Sequence, residues 1–203
     1  MSVFLYNHWY IVGFRRDLTS KPRRVIVAGL PLALYRLNDG SAVALEDRCP
    51  HREVPLSMGS VQSDGTLQCL YHGIRFDKHG ACKFIPEDTR IPAGAQVRSF
   101  PVREHGEWVW VFMGDPALAS TVSPPDYPWF TREGWKARTG HLHVKCNYKL
   151  IVDNLLNMRR DRRTPSPRRS TLILASLTTP SLPIVLGCTK GRCAMFNLSL
   201  IHI

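Results

Sequence analysis

Two short stretches, Cys49-Pro50-His51-Arg52 and Cys69-Leu70-Tyr71-His72-Gly73, decide how this chain is interpreted. Each stretch holds one cysteine and one histidine, spaced C-x-H in the first and C-x2-H in the second. Tetrahedral sites with two sulfur and two nitrogen ligands suit zinc or an iron–sulfur cluster. Zinc fingers usually place like ligands together, whereas here each stretch supplies one ligand of each kind. The pattern therefore favours a two-iron cluster, with both cysteines on one iron and both histidines on the other, over a structural zinc site.

The composition predicts a globular protein whose positive charge is unevenly distributed. The chain has 203 residues, of which 44% are hydrophobic, and a net charge of +11. This length accommodates one sizeable domain, or one domain and part of a second. Residues 159–203 contain eight of the 27 Lys and Arg residues but one of the 16 acidic residues. Most of the basic excess thus belongs to this tail, and we do not expect a nucleic-acid partner.

The sequence contains no membrane or secretion signal that we can identify. No run of about 18 or more apolar residues is present, so no transmembrane helix is predicted. The first residues lack a basic segment followed by an apolar core, so no signal peptide is expected. The cysteines outside the two stretches show no disulfide spacing, which predicts a reduced, cytoplasmic protein. These are Cys82, Cys146, Cys188 and Cys193.

Short strands and turns predict that residues 1–114 form an antiparallel β domain. Residues 3–12 are aromatic and β-branched, which indicates a first strand. Asn38-Asp39-Gly40 predicts a hairpin turn between strands at 32–37 and 41–45. Residues 108–113 are apolar on both alternating faces, so this strand should be central, with its aromatic side chains in the core.

Residues 115–158 have a different pattern. Four prolines in residues 115–130 indicate a linker. His141 and His143 share one face of a predicted short strand, and an ordinary strand face is a better interpretation than a metal site. From Asn147, apolar residues recur at helical spacing.

Several strings together resemble the oxygenase component of Rieske non-haem iron oxygenases, of the dicamba monooxygenase and vanillate O-demethylase type. The resemblance covers residues 1–158. The strings are Asn7-His8-Trp9-Tyr10, the two Cys/His stretches, Val97-Arg98-Ser99-Phe100-Pro101-Val102 and Cys146-Asn147-Tyr148-Lys149-Leu150-Ile151-Val152-Asp153-Asn154-Leu155-Leu156.

The resemblance implies a mainly β fold, in which a Rieske-type β domain precedes the truncated start of an α+β catalytic domain. It implies a [2Fe–2S] cluster on Cys49, His51, Cys69 and His72. The implied electron donor is a ferredoxin or a flavin/iron–sulfur reductase. In a complete relative, an aromatic acid or ether would be hydroxylated or demethylated at a second, mononuclear Fe(II) site, and the relative would be a homotrimer.

The ligands of that mononuclear iron are missing here. The family pattern places a carboxylate and two histidines where this chain has Asn157, Arg160 and Pro165. Arginine stays protonated and cannot donate a lone pair to iron, and the proline side chain has no ligand atom. We therefore expect that this chain cannot bind the mononuclear iron and that it is inactive alone as an oxygenase.

Residues 159–203 change abruptly to a basic, Ser/Pro-rich composition. A regulatory or RNA-binding tail is one interpretation. The change falls within a predicted amphipathic helix, however, which favours a reading-frame shift. We therefore expect an N-terminal fragment with an aberrant, disordered tail.

A second functional hypothesis is a Rieske ferredoxin, an electron carrier without a substrate site. Such carriers need one domain of about 100 residues, and they do not need the string that runs from Cys146 to Leu156. This string favours the oxygenase component.

Overall fold

The protein divides into two compact units, Met1–Pro124 and Pro125–Ile203. The structure, a computed structural model, describes residues 4–86, 90–126, 133, 135–143, 150 and 181–189, with 135–143 and 181–189 described by their backbone. In these ranges no helix has the length and apolar character needed to cross a membrane.

Eleven strands form three antiparallel sheets in the described part of the first unit, which confirms the mainly β fold. The first sheet has the order β1 (His8–Phe14), β11 (Trp108–Met113), β10 (Val102–His105). The second has the order β2 (Arg23–Val27), β3 (Leu30–Arg36), β4 (Ala42–Glu46), β9 (Ser99–Phe100). The third has the order β5 (Ser60–Val61), β6 (Leu67–Gln68), β7 (Arg75–Phe76), β8 (Cys82–Phe84). Three-residue 3-10 turns occupy Arg15–Asp17 and Leu56–Met58, and a longer one occupies Pro116–Ser120.

The second sheet separates two hydrophobic clusters because successive side chains of a strand point to opposite faces. On β3, Leu32 and Leu34 belong to the cluster shared with β11, whereas Ala33 and Tyr35 belong to the cluster around the Cys/His loops. Both faces of this strand are therefore buried, and the Cys/His loops pack against a separate hydrophobic cluster.

Strand β11 is central, as predicted. It pairs with β1 on one side and β10 on the other, and all six of its residues are buried. Its aromatic face packs against β1: Trp108 stacks on Phe14 at 4.3 Å between ring centroids, and Phe112 meets Trp9 edge-on at 5.2 Å. These aromatic residues thus belong to the core.

The hairpin prediction is also confirmed. Strands β3 and β4 pair across Asn38-Asp39-Gly40, and Gly40 has φ +86°, a value that glycine adopts without strain. The first strand begins later than predicted, at His8 rather than residue 3. The reason is Asn7, which has φ +62° and interrupts the extended run, while its side-chain oxygen accepts a hydrogen bond from the Asp115 amide at 2.9 Å.

The first unit extends beyond residue 114, where we placed the domain boundary. The Asp115 carboxylate accepts a hydrogen bond from the Ala117 amide at the start of the Pro116–Ser120 turn. Trp9 Nε1 donates to the Val122 carbonyl oxygen at 2.6 Å, which ties this segment to β1. The proline-rich stretch is therefore packed up to Pro124, and only its later part remains a predicted linker.

In the second unit, β12 (Trp135–His143) pairs with β13 (Ser181–Thr189) in an antiparallel ladder. His141 and His143 therefore lie on a strand, as predicted. Residues 181–189 form a strand, whereas we expected a disordered tail. Each of these nine residues pairs with a residue of β12. The predicted helix from Asn147 lies outside the described residues, apart from Leu150, which is helical. The rest of residues 159–203 also lies outside them.

Candidate metal centre

The first Cys/His loop follows β4 and turns back at Cys49. The Cys49 amide donates to the Val54 carbonyl oxygen at 2.9 Å, and the Glu53 amide donates to the Cys49 carbonyl oxygen at 2.8 Å. Glu53 adopts the left-handed conformation, with φ +60°. These two bonds close a tight turn that presents His51 two residues after the cysteine.

The second loop repeats this backbone pattern between β6 and β7. The Cys69 amide donates to the Ile74 carbonyl oxygen at 2.8 Å, and the Gly73 amide donates to the Cys69 carbonyl oxygen at 3.1 Å. Gly73 takes the left-handed position, with φ +70°. Both loops thus begin at a cysteine and reverse direction at the fourth residue after it.

The two thiols meet at the buried end of the site. Cys49 and Cys69 are each 2% exposed, and both line the same small cavity. Burial is the largest cause that raises the pKa of the Cys49 thiol, to about 11. A metal ion must displace this proton, since the thiolate is the form that binds metals.

The two imidazoles meet at the exposed end. Nδ1 of His51 lies 3.0 Å from Nδ1 of His72, and the ring centroids are 4.7 Å apart. The ring of Tyr71 lies against that of His72, with 3.8 Å between centroids. In each histidine, Nε2 lies on the opposite side of the ring from this contact.

All four predicted residues line one small cavity, so the structure brings them together. They are arranged as two pairs, with thiols inside and imidazoles outside. In the part of the chain that the structure describes, no three Cys, His, Asp or Glu side chains form a group around a single metal ion. Two sulfur donors at one end and two nitrogen donors at the other are the donor set of a Rieske [2Fe–2S] cluster, whose two irons have different ligands. The residues present therefore fit this group.

Sequence reasoning missed the side chains that anchor the loops. The side chain of Asp47, two residues before Cys49, is fully buried and accepts hydrogen bonds from Ser57. Gln68, one residue before Cys69, accepts a bond from Arg75 Nε at 3.1 Å. An acidic residue at the end of an apolar strand was the available signal for Asp47.

The positions predicted to lack the mononuclear-iron ligands, Asn157, Arg160 and Pro165, lie outside the described residues.

Comparison with known proteins agrees with this geometry. Residues 8–101 match the Rieske [2Fe–2S] domain. The chain is 44% identical over 156 residues to the oxygenase component of dicamba O-demethylase from Stenotrophomonas maltophilia, covering 76% of this chain and 46% of that protein. Residues 8–101 therefore form a Rieske [2Fe–2S] domain, similar to the one in Rieske oxygenase components.

Another relative and a solved structure agree with this comparison. A putative toluene-4-sulfonate monooxygenase system iron–sulfur subunit from Comamonas testosteroni is 44% identical over 151 residues, covering 74% of this chain and 43% of that subunit. The crystal structure of dicamba monooxygenase with non-haem iron and dicamba superposes with a TM-score of 0.69 at 39% identity, covering 85% of this chain and 51% of that one. The chain thus spans about half the length of the relatives that it matches.

Proposed function

We propose that this chain holds a [2Fe–2S] cluster, with Cys49 and Cys69 on one iron and His51 and His72 on the other. The observation that carries the proposal is the buried thiol pair beside the exposed imidazole pair. Such a cluster, when bound, accepts and releases one electron at a time. Imidazole in place of thiolate removes negative charge, which raises the reduction potential to about −150 to +300 mV across the class.

The surface next to the imidazoles supports a protein electron donor. Leu70 and Tyr71 directly precede His72 and are 62% and 61% exposed, although both are large hydrophobic residues. Exposed apolar side chains next to a redox centre suit transient docking of a protein partner. We therefore propose that a ferredoxin or a flavin/iron–sulfur reductase docks here. The described thiols, Cys49, Cys69 and Cys82, are free, which supports a reducing, cytoplasmic setting.

In a complete relative, we propose that such electrons serve hydroxylation or O-demethylation of an aromatic acid or ether at a mononuclear Fe(II), in a homotrimer. The named activities of the relatives support the reaction class in this proposal. This chain itself should not bind the mononuclear iron, because Asn157, Arg160 and Pro165 stand at the ligand positions.

The cluster is tested by reconstituting the purified chain with iron and sulfide. We expect two iron ions and two sulfides per chain, visible absorption, and an EPR signal on reduction. Cys49→Ser and Cys69→Ser should abolish all three. Cys82→Ser is the matched control, since Cys82 is a free, buried cysteine of the same hydrophobic cluster that does not line the cavity. A colourless protein that holds one zinc ion would contradict the proposal.

The proposed inactivity is tested with a suitable reductase, oxygen and aromatic methoxy acids. We expect the cluster to be reduced without formation of a demethylated product. Product formation, or a third tightly bound iron ion per chain, would show that the mononuclear centre is present after all.

A further inference from the structure

A short segment, residues 55–59, lies between the bases of the two ligand loops. It contains the 3-10 turn Leu56–Met58, closed by a hydrogen bond from the Gly59 amide to the Leu56 carbonyl oxygen at 2.9 Å. Leu56 is fully buried, in the same hydrophobic cluster as Cys49 and Cys69. The segment is therefore fixed to the hydrophobic cluster that also contains both cysteines.

The middle of this segment is anchored beside the first loop by a buried carboxylate. Asp47 Oδ1 accepts a hydrogen bond from the Ser57 amide at 2.6 Å, and Oδ2 accepts one from the Ser57 hydroxyl at 2.8 Å. Arg24 Nε lies 3.7 Å from Oδ2 and offsets part of the charge. A buried carboxylate is stable in the fold only when its oxygens are satisfied in this way. The position of Ser57 is thus tied to a residue two positions before Cys49.

The last residue of the segment, Gly59, contacts the strand that leads into the second loop. A Cβ atom at Gly59 would lie 2.0 Å from the Gln68 carbonyl oxygen, so only glycine permits this approach. Gln68 immediately precedes Cys69, and the neighbouring Ser60 is its partner in the β5–β6 ladder. The contact is between backbones, which cannot move aside as a flexible side chain can.

We infer that Asp47, Ser57 and Gly59 are positioning residues, which hold residues 55–59 as a spacer that sets the separation of the two ligand loops. This inference rests on the proposed function, because the separation matters through the cluster that both loops ligate. Outer-shell partners orient metal ligands in this manner, and their loss commonly lowers metal affinity about 10–100-fold. The spacer acts on both loops at once, which no residue within a single loop can do.

The test compares Asp47→Asn, Ser57→Ala and Gly59→Ala with the wild type in the full, cluster-loaded chain. We expect each variant to lose iron to a chelator about 10-fold faster or more. We also expect altered EPR g values and an altered visible circular dichroism spectrum, because the two ligand loops are displaced relative to each other. Ser57→Thr retains the amide and the hydroxyl, and it should restore wild-type behaviour.

The chain offers matched controls on an outward turn. Asp39 accepts hydrogen bonds from the amide and hydroxyl of Ser41, at 2.8 and 2.6 Å, without touching either ligand loop. Asp39→Asn and Ser41→Ala should leave the cluster spectra unchanged. Gly94→Ala controls for Gly59→Ala, since a Cβ atom at Gly94 meets nothing within 4 Å.

The outcomes separate this inference from the proposed function. Loaded variants whose EPR and dichroism spectra match the wild type would overturn the spacer, even if their stability fell. Equal spectral changes in the Asp39 and Ser41 controls would also overturn it. If Asp47→Asn does not fold, the spectra of Ser57→Ala test the inference instead. This variant keeps the hydrogen bond from the amide of residue 57 to Asp47 and loses only the bond from the hydroxyl. A wild-type chain that takes up no cluster would refute the proposed function, and this inference with it.

Discussion

The two ligand loops share one backbone turn but are held in place by different means. The second loop connects β6 and β7, whose pairs Leu67↔Phe76 and Gln68↔Arg75 fix its ends, and its left-handed residue is a glycine. The first loop follows β4 and leads into the Leu56–Met58 turn, so no strand ladder closes it. A buried carboxylate closes it instead, and its left-handed residue is Glu53. The same turn can thus be encoded by strand pairing or by side-chain bonds.

The largest difference in stability between the two loops should appear when the side chain that anchors each loop is removed. Asp47→Ala leaves the Ser57 amide and hydroxyl without their acceptor, so the free energy of unfolding should fall by about 3 kcal/mol. Gln68→Ala removes one hydrogen bond, from the partly exposed Arg75. It should lower the free energy of unfolding by less than about 1 kcal/mol, since strand pairing still holds the second loop. Denaturant unfolding of the iron-free chain measures both values. Equal losses would mean that the loops are held alike.

The next effect depends on pH and concerns the cysteine of the first loop. Burial raises the pKa of Cys49 from 9.0 to about 11, so the folded iron-free chain favours the neutral thiol. This contribution to stability is fully present below pH 9 and is lost as the pH rises through about 11. The loss attributable to Cys49 should reach about 2 kcal/mol. Denaturant unfolding at a series of pH values measures it, and Cys49→Ser should make the profile flatter.

A smaller effect concerns the left-handed residue of the second loop. Gly73→Ala forces a side chain into φ +70° and places a Cβ atom 3.2 Å from Pro86 Cγ. The expected loss is about 1–2 kcal/mol, measured by thermal unfolding. Gly94→Ala should have little effect, because its Cβ would occupy open space. An equally small effect at Gly73 would show that the loop relaxes.

The smallest effect has the opposite sign. Glu53→Gly relieves the left-handed strain in the first loop but removes the exposed ion pair with Arg48 and adds flexibility to the unfolded chain. The net gain in stability should be about 0.5 kcal/mol. Glu53→Gln, which removes only the charge, separates the two contributions. A loss of stability in Glu53→Gly alone would show that the first loop requires a side chain at this position.

The sequence predicted the parts of the site that local spacing encodes. Cys49 and His51 form one short pattern and Cys69 and His72 form another, and donor chemistry then requires that the two meet. The turn at Gly40 and the two apolar faces of β11 were predictable for the same reason, since their signals lie within a few residues.

The parts that were not predicted depend on contacts between distant positions. Asp47 meets Ser57 ten residues away, and Gly59 fits only because Gln68 lies against it. The first unit extends to Pro124 because Trp9 bonds to Val122, 113 residues away. No periodic sequence pattern predicts such contacts, because the two residues of each pair become neighbours only when the chain folds.

The alternation of β3 between two hydrophobic clusters has a practical consequence for protein engineering. Leu32 and Leu34 face the cluster that is shared with β11, on the opposite side of the sheet from the ligand loops. Effects of substitutions at distant sites without shared partners usually add. Thermostability could therefore be adjusted by repacking that cluster, while the redox properties set on the other side of the sheet stay as they are.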